Sequence, residues 1–110
     1  MDHIDLLRRL AINDERMLER LVGAATPEID PVLDPRTLAL VRLAAVAAVG
    51  GAVPTYGAQV DAAVDAGASA AEIVDVLVGV LPVVGIPRVV SAAPKLALAL
   101  GYDVEDAVEL

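Results

Sequence analysis

From Asp34 to Gly101 the chain is a succession of apolar runs, each opened by a helix-start signal and closed by glycine or proline. "LDPRTLALVRLAAVAAVGG" puts Asp34 where an N-cap belongs, Pro35 at the first helical position and glycines at the end, which predicts a helix from about Pro35 to Val49. It is apolar nearly all round and should therefore be central. The next helix should begin at Pro54 and stop at Gly67, with Asp61 and Asp65 on its solvent face. In "SAAEIVDVLVGVL", Ser69 and Glu72 stand at capping-box spacing before an apolar run. Pro82 and the "GIP" that follows are expected to break that run. Pro87 should restart a helix that Gly101 ends, with Pro94 kinking or dividing it.

Upstream, "MDHIDLLRRLAINDERMLERLVG" places Ile4, Leu7 and Leu10 on one face, and Leu18, Leu21 and Val22 resume a similar face after Asn13-Asp14. This is one long helix or two short ones, with Asn13 as a possible cap for the second. "AATPEIDPV" reads as a proline-containing connection and "YDVEDAVEL" as an acidic tail with at most a turn of helix. Alternation of period two is nowhere sustained, so β-structure has little support. The fold class is all-α, a compact bundle of five or six helices.

At 110 residues the chain reads as a single domain, 1–110, without an internal boundary. Its hydrophobic content of 57% exceeds the usual value of about half, yet Phe and Trp are absent and Tyr occurs twice. The core must be built from Ala, Val, Leu and Ile, and a small chain this apolar is expected to cover its excess by forming a homo-oligomer. A net charge of −8 with scattered basic residues argues against nucleic acid. The absence of cysteine excludes disulfides, thiolate metal sites and thiol redox chemistry in this chain. "MDHIDLLRRL" lacks the apolar core of a signal peptide, which suggests a cytoplasmic protein. Arg42 and Gly50-Gly51 interrupt the most membrane-like run short of the ~20 residues a span needs, so no membrane partner is expected.

"LDPRTLALVRLAAVAA", the helix ending "AAVDAGAS", then "AAEIVDVLVGVLPVVGIP" and a last alanine-rich helix together resemble the carboxymuconolactone decarboxylase family, which also contains the alkylhydroperoxidase D proteins. The resemblance covers about Leu33 to Tyr102, and its most specific parts are the "DAGAS-AAEIVDVL" junction and "VVGIP". It implies an all-α fold in symmetric oligomers, commonly trimers or hexamers. In the peroxidase branch a Cys-x-x-Cys pair is followed by a histidine lying eight residues before the glycine matching Gly67. Carried onto this chain, the cysteine positions hold Ala52 and Thr55, the histidine position Gln59, and the assisting acid's position Leu40. Peroxidase chemistry, which needs a thiolate, has no group to perform it here. Gln59 cannot act as the histidine-type base of the lactone decarboxylase branch either.

The polar groups that remain at this place can bind an anion. Arg42 sits in the most apolar helix, and Arg88 follows the "GIP" turn at a helix start. A buried guanidinium needs a carboxylate, from a ligand or from protein acids such as Asp34 or Glu72. The family's lactone substrate is an acid. Tyr56 is the candidate catalytic residue, as an acid or oxyanion donor, with Arg42, Thr55, Gln59 and Arg88 as substrate-binding residues. The alternatives are that Arg42 and Arg88 make interface salt bridges, that Thr55 satisfies a first-turn donor and that Tyr56 merely packs. His3 reads as a terminal side chain, and Asp61, Asp65 and Asp75 as solvated helix faces, with no metal-ligand spacing and no cofactor implied. Two activities stay open: a cofactor-free enzyme acting on a small organic acid or lactone, by decarboxylation, isomerisation or a lyase step, and a non-catalytic oligomeric binding or structural member.

Overall fold

The computed structural model describes residues 2–23 and 32–102. The chain divides into two compact units, Met1–Val32 and Leu33–Leu110. Residues 24–31 of the expected connection, and the acidic tail beyond Tyr102, lie outside the described residues.

The first unit holds α1 (His3–Ala11) and α2 (Glu15–Gly23), so the N-terminal segment forms two short helices. Asp2 caps α1 by accepting from the Asp5 backbone N–H at 2.8 Å. Asn13 is not the cap of α2: it stands at a left-handed φ of 57°, whereas a cap residue is extended. Asparagine tolerates that conformation and makes the break between helices. Asp14 does the capping, accepting from the Met17 N–H at 3.2 Å.

The second unit is a bundle of α3 (Pro35–Val49), α4 (Val53–Asp65), α5 (Ala70–Val84) and α6 (Ile86–Leu100), each packed against the other three. Among the described residues no strand occurs. Each helix buries a narrow stripe: Ala39, Leu43 and Ala47 on α3, Tyr56, Val60 and Ala63 on α4, Ile73 and Leu77 on α5, Ala92 and Leu96 on α6. Spacings of three and four put each stripe on one side of its helix, and the alanines in it let helix axes approach closely. The expectation that α3 is enclosed needs correction. It touches all three neighbours, but its outer face, with Val41, Arg42 and Val49, is exposed in the single chain, because a bundle of four helices has no fifth to cover that side.

Local chemistry explains the boundaries. Asp34 accepts from the Thr37 N–H at 2.7 Å. Ser69 Oγ accepts from the Glu72 N–H at 3.1 Å while Glu72 Oε1 accepts from the Ser69 N–H at 2.9 Å, a complete capping box. These bonds to Ser69, with a smaller contribution from Arg36, hold the Glu72 carboxyl below the ordinary range. Pro82 does not break α5, which runs on to Val84. It lies in the last turn, where its missing N–H forfeits one bond and nothing downstream depends on it. The stop is Gly85, with φ 87° and ψ 164°, a region open essentially to glycine alone. Gly85 also serves as N-cap of α6, so α6 starts at Ile86 and not at Pro87. Pro94 does not divide α6.

Two outcomes are expected in urea unfolding. Ile73→Ala, at a fully buried contact, should cost about 2–5 kcal/mol. A carboxyl whose folded pKa is depressed stabilises above its unfolded value, and that stability is lost as pH falls through the folded one. Stability should therefore drop as pH is lowered below roughly 4.3, and Glu72→Gln should flatten part of that acid limb.

Candidate functional site

The chain turns from α3 into α4 through Gly50, Gly51 and Ala52, and three polar side chains meet the packing there. Gly50 donates its N–H to the Val46 carbonyl at 2.8 Å and then departs at φ 90°, ψ 152°, again a glycine-only conformation. α4 begins at Ala52 with no side-chain cap. Four residues on, Tyr56 is the largest fully buried side chain, 1% exposed. No hydrogen bond to its hydroxyl forms among the described residues, and none of their buried side-chain polar atoms lacks a partner. The side chain is therefore enclosed by the bundle, held by packing and not by a hydrogen bond of its hydroxyl.

α6 supplies the charge. The Arg88 guanidinium lies over Gly50, with Nη1 only 2.8 Å from where a Cβ on that residue would sit. The half-buried Lys95 donates from Nζ to the Gly51 carbonyl at 2.8 Å. A Cβ on Gly51 would meet Val46 Cγ1 at 3.1 Å and Thr55 Cβ at 3.5 Å, so Gly51 lets those side chains close on the turn, while the bare Gly50 is what admits the Arg88 guanidinium. The last turn of α3 has no basic residue of its own. Cations borrowed from α6 complement the partial negative charge of that helix end.

Burial pushes the Tyr56 phenol above its ordinary value, and the nearby Arg88 charge pulls it partly back. At neutral pH the group is protonated and acts as a donor. The corner can thus offer a hydroxyl proton beside fixed positive charge, the requirement for holding a carboxylate or stabilising a developing oxyanion.

The sequence-predicted residues are placed unequally. Tyr56 and Arg88 come together, and exposed Thr55 borders them through Gly51. Gln59 is half-buried, one turn further along α4. Arg42 is exposed on α3, eight residues before Gly50, or about 12 Å along the helix axis. The acids considered as its partners are engaged elsewhere: Glu72 pairs with Arg36 at 3.4 Å and Asp34 caps Thr37. His3, Asp61, Asp65 and Asp75 are exposed. Among the described residues no three His, Cys, Asp or Glu side chains could share a metal ion. No helix there is long and apolar enough to cross a membrane.

Lys95 escaped the sequence reading, and a signal for it exists. No Asp or Glu occurs from Pro35 to Val60 or from Val76 to Tyr102, although the chain carries 16 acids. Arg36, Arg42, Arg88 and Lys95 all fall in those two spans. A recess of about 380 Å³ elsewhere in the bundle is lined by Val60, Asp61, Val64, Asp65, Ala99 and Leu100. Its carboxylates would repel an anion.

Fold and site together define a cysteine-free, all-α helical-bundle protein with a tyrosine and two cations gathered at one helix junction. The model of the carboxymuconolactone decarboxylase family matches residues 15–98, and the chain belongs to that family. No curated protein and no solved structure is significantly similar to it.

The two tyrosines and absent tryptophan make the site spectroscopically accessible. In a Tyr102→Phe background, absorbance at ~295 nm should show Tyr56 titrating above the ordinary tyrosine value of about 10. Arg88→Met should move that titration further up. Titration at the ordinary value in both proteins would contradict the buried, arginine-facing placement.

Proposed function

We propose that the protein is a cofactor-free, non-thiol member of its family that acts on a small organic acid or lactone, by decarboxylation, isomerisation or a lyase step. The observation that carries this is the enclosed Tyr56 phenol within the charge of Arg88, at the glycine corner where α3 turns into α4. The raised phenol pKa sets the direction of its chemistry: Tyr56 gives a proton or a hydrogen bond and does not take one. In a decarboxylation the electron pair of the breaking C–C bond passes into a conjugated carbonyl, and Tyr56 would stabilise the oxygen that receives it while carbon dioxide leaves. Arg88 then belongs beside that oxygen, where its charge gains in value as the bond breaks. Thr55 and Gln59 border the ligand, and Arg42 contributes to binding only if the ligand, or a second subunit, extends along α3.

The second reading, an oligomer that binds or builds without catalysis, draws on a different observation. Val78, Val83, Ile86 and Val90 on α5 and α6 are between 63% and 85% exposed. Water-facing valines and isoleucine on adjoining helices favour self-association, and a homo-oligomer, trimeric or hexameric, belongs to both readings. The proposed setting is the cytoplasm.

Binding of tetrahydro-2-furoate, read by Tyr56 fluorescence in the Tyr102→Phe protein, tests the anion site. Arg88→Met should weaken it at least tenfold, or about 1.4 kcal/mol. With lactone and keto acids as trial substrates, Tyr56→Phe should abolish turnover while light scattering shows an unchanged assembly. Loss of the assembly in these variants, with no ligand response in the parent, would support the structural reading.

A further inference from the structure

We propose that Lys95 is the second cation of this site, giving one ammonium proton to the Gly51 carbonyl and presenting the other two to the carboxylate of a bound organic acid. The inference rests on the anion-binding reading above and adds a ligand-contacting residue to it.

The geometry comes first. Arg88 and Lys95 are seven residues apart on α6, two turns along one side of the helix. Their head groups nevertheless reach consecutive residues, Gly50 and Gly51. With no side chain at Gly50, the guanidinium closes directly on the backbone of the α3–α4 connection. An ammonium has three donors, and the Gly51 carbonyl takes one.

The energetics point the same way. The partial negative charge at the end of α3 and the Gly51 carbonyl engage one side of the ammonium and leave two of its donors over. Partly desolvating an ammonium is costly unless an anion compensates. Among the described residues neither Lys95 nor Arg88 forms an ion pair. α6 contains no acid, and the facing parts of α3, α4 and α5, from Pro35 to Val60 and from Val76 to Val84, contain none either. Exposed Arg88 and half-buried Lys95 thus approach adjacent backbone residues with no acid paired to either among the described residues, an arrangement that an anionic ligand would relieve.

Lys95 is the chain's one lysine, which makes the test direct. In the Tyr102→Phe protein, Lys95→Gln keeps a donor for Gly51 and removes the charge. It should weaken tetrahydro-2-furoate binding at least tenfold without altering the thermal midpoint by more than a few degrees, and Lys95→Arg should restore most of the affinity. As a second measurement that needs no variant, saturating tetrahydro-2-furoate should slow reductive methylation of Lys95 in the unaltered protein, followed by mass spectrometry. Lys95→Gln binding as tightly as the parent while Arg88→Met does not, or methylation unaffected by ligand, would overturn the assignment of Lys95 and leave the Arg88 site standing. Failure of the parent protein to bind at all would overturn the anion site itself.

Discussion

Close approach of helices built from small residues is the constraint on which the second unit depends. Ala39, Ala47, Ala63 and Ala92 provide the hollows into which Leu43, Ile73, Leu96 and Tyr56 pack. Burying each such large side chain is worth roughly 1.5–3 kcal/mol, whereas the Arg36–Glu72 pair is exposed and screened by solvent. Packing therefore decides where the helices sit, and charge follows. One consequence concerns Tyr56. As the core's only aromatic it is fixed by its ring, so its hydroxyl lies at a position set by hydrocarbon contacts and not by a polar network.

That position lies at a corner where the sign of the local charge opposes that of the whole chain. The net charge of −8 repels anions at a distance, but this repulsion is screened beyond about 8–10 Å at physiological salt. Within that range the cations of α6 and the absence of nearby acids dominate. An acidic chain can thus present a locally positive junction. The glycine pair is the structural means: it terminates α3, turns the chain and leaves the backbone at Gly50 uncovered for Arg88.

Features set by neighbours in sequence were legible in the residues themselves. The Asp34 cap, the Ser69–Glu72 capping box and the span Pro35–Val49 each depend on atoms within four residues of one another, and each forms as the spacing indicates. The departures have the same local logic applied too strongly or too loosely. Pro82, a breaker in mid-helix, is harmless in the final turn, and of the adjacent pair Asn13 and Asp14 it is Asp14 whose carboxylate reaches the Met17 N–H while Asn13 takes the left-handed turn. For the site, Tyr56 and Arg88 were reachable from the family register. Lys95 was not, since a single lysine in an alanine-rich helix looks like any solvated side chain.

The sequence by itself determined the all-α class, the absence of thiol chemistry, the family and most helix boundaries, because composition, caps and periodicity act over a few residues. Tertiary structure alone decided which cation serves the corner. Arg42 lies far nearer to Tyr56 along the chain than either Arg88 or Lys95 does, yet it faces outward, while Lys95 reaches across 44 residues to the Gly51 carbonyl. The rotation of each helix about its axis is fixed by which stripe of alanine and leucine finds the core, and that choice is made among all four helices at once.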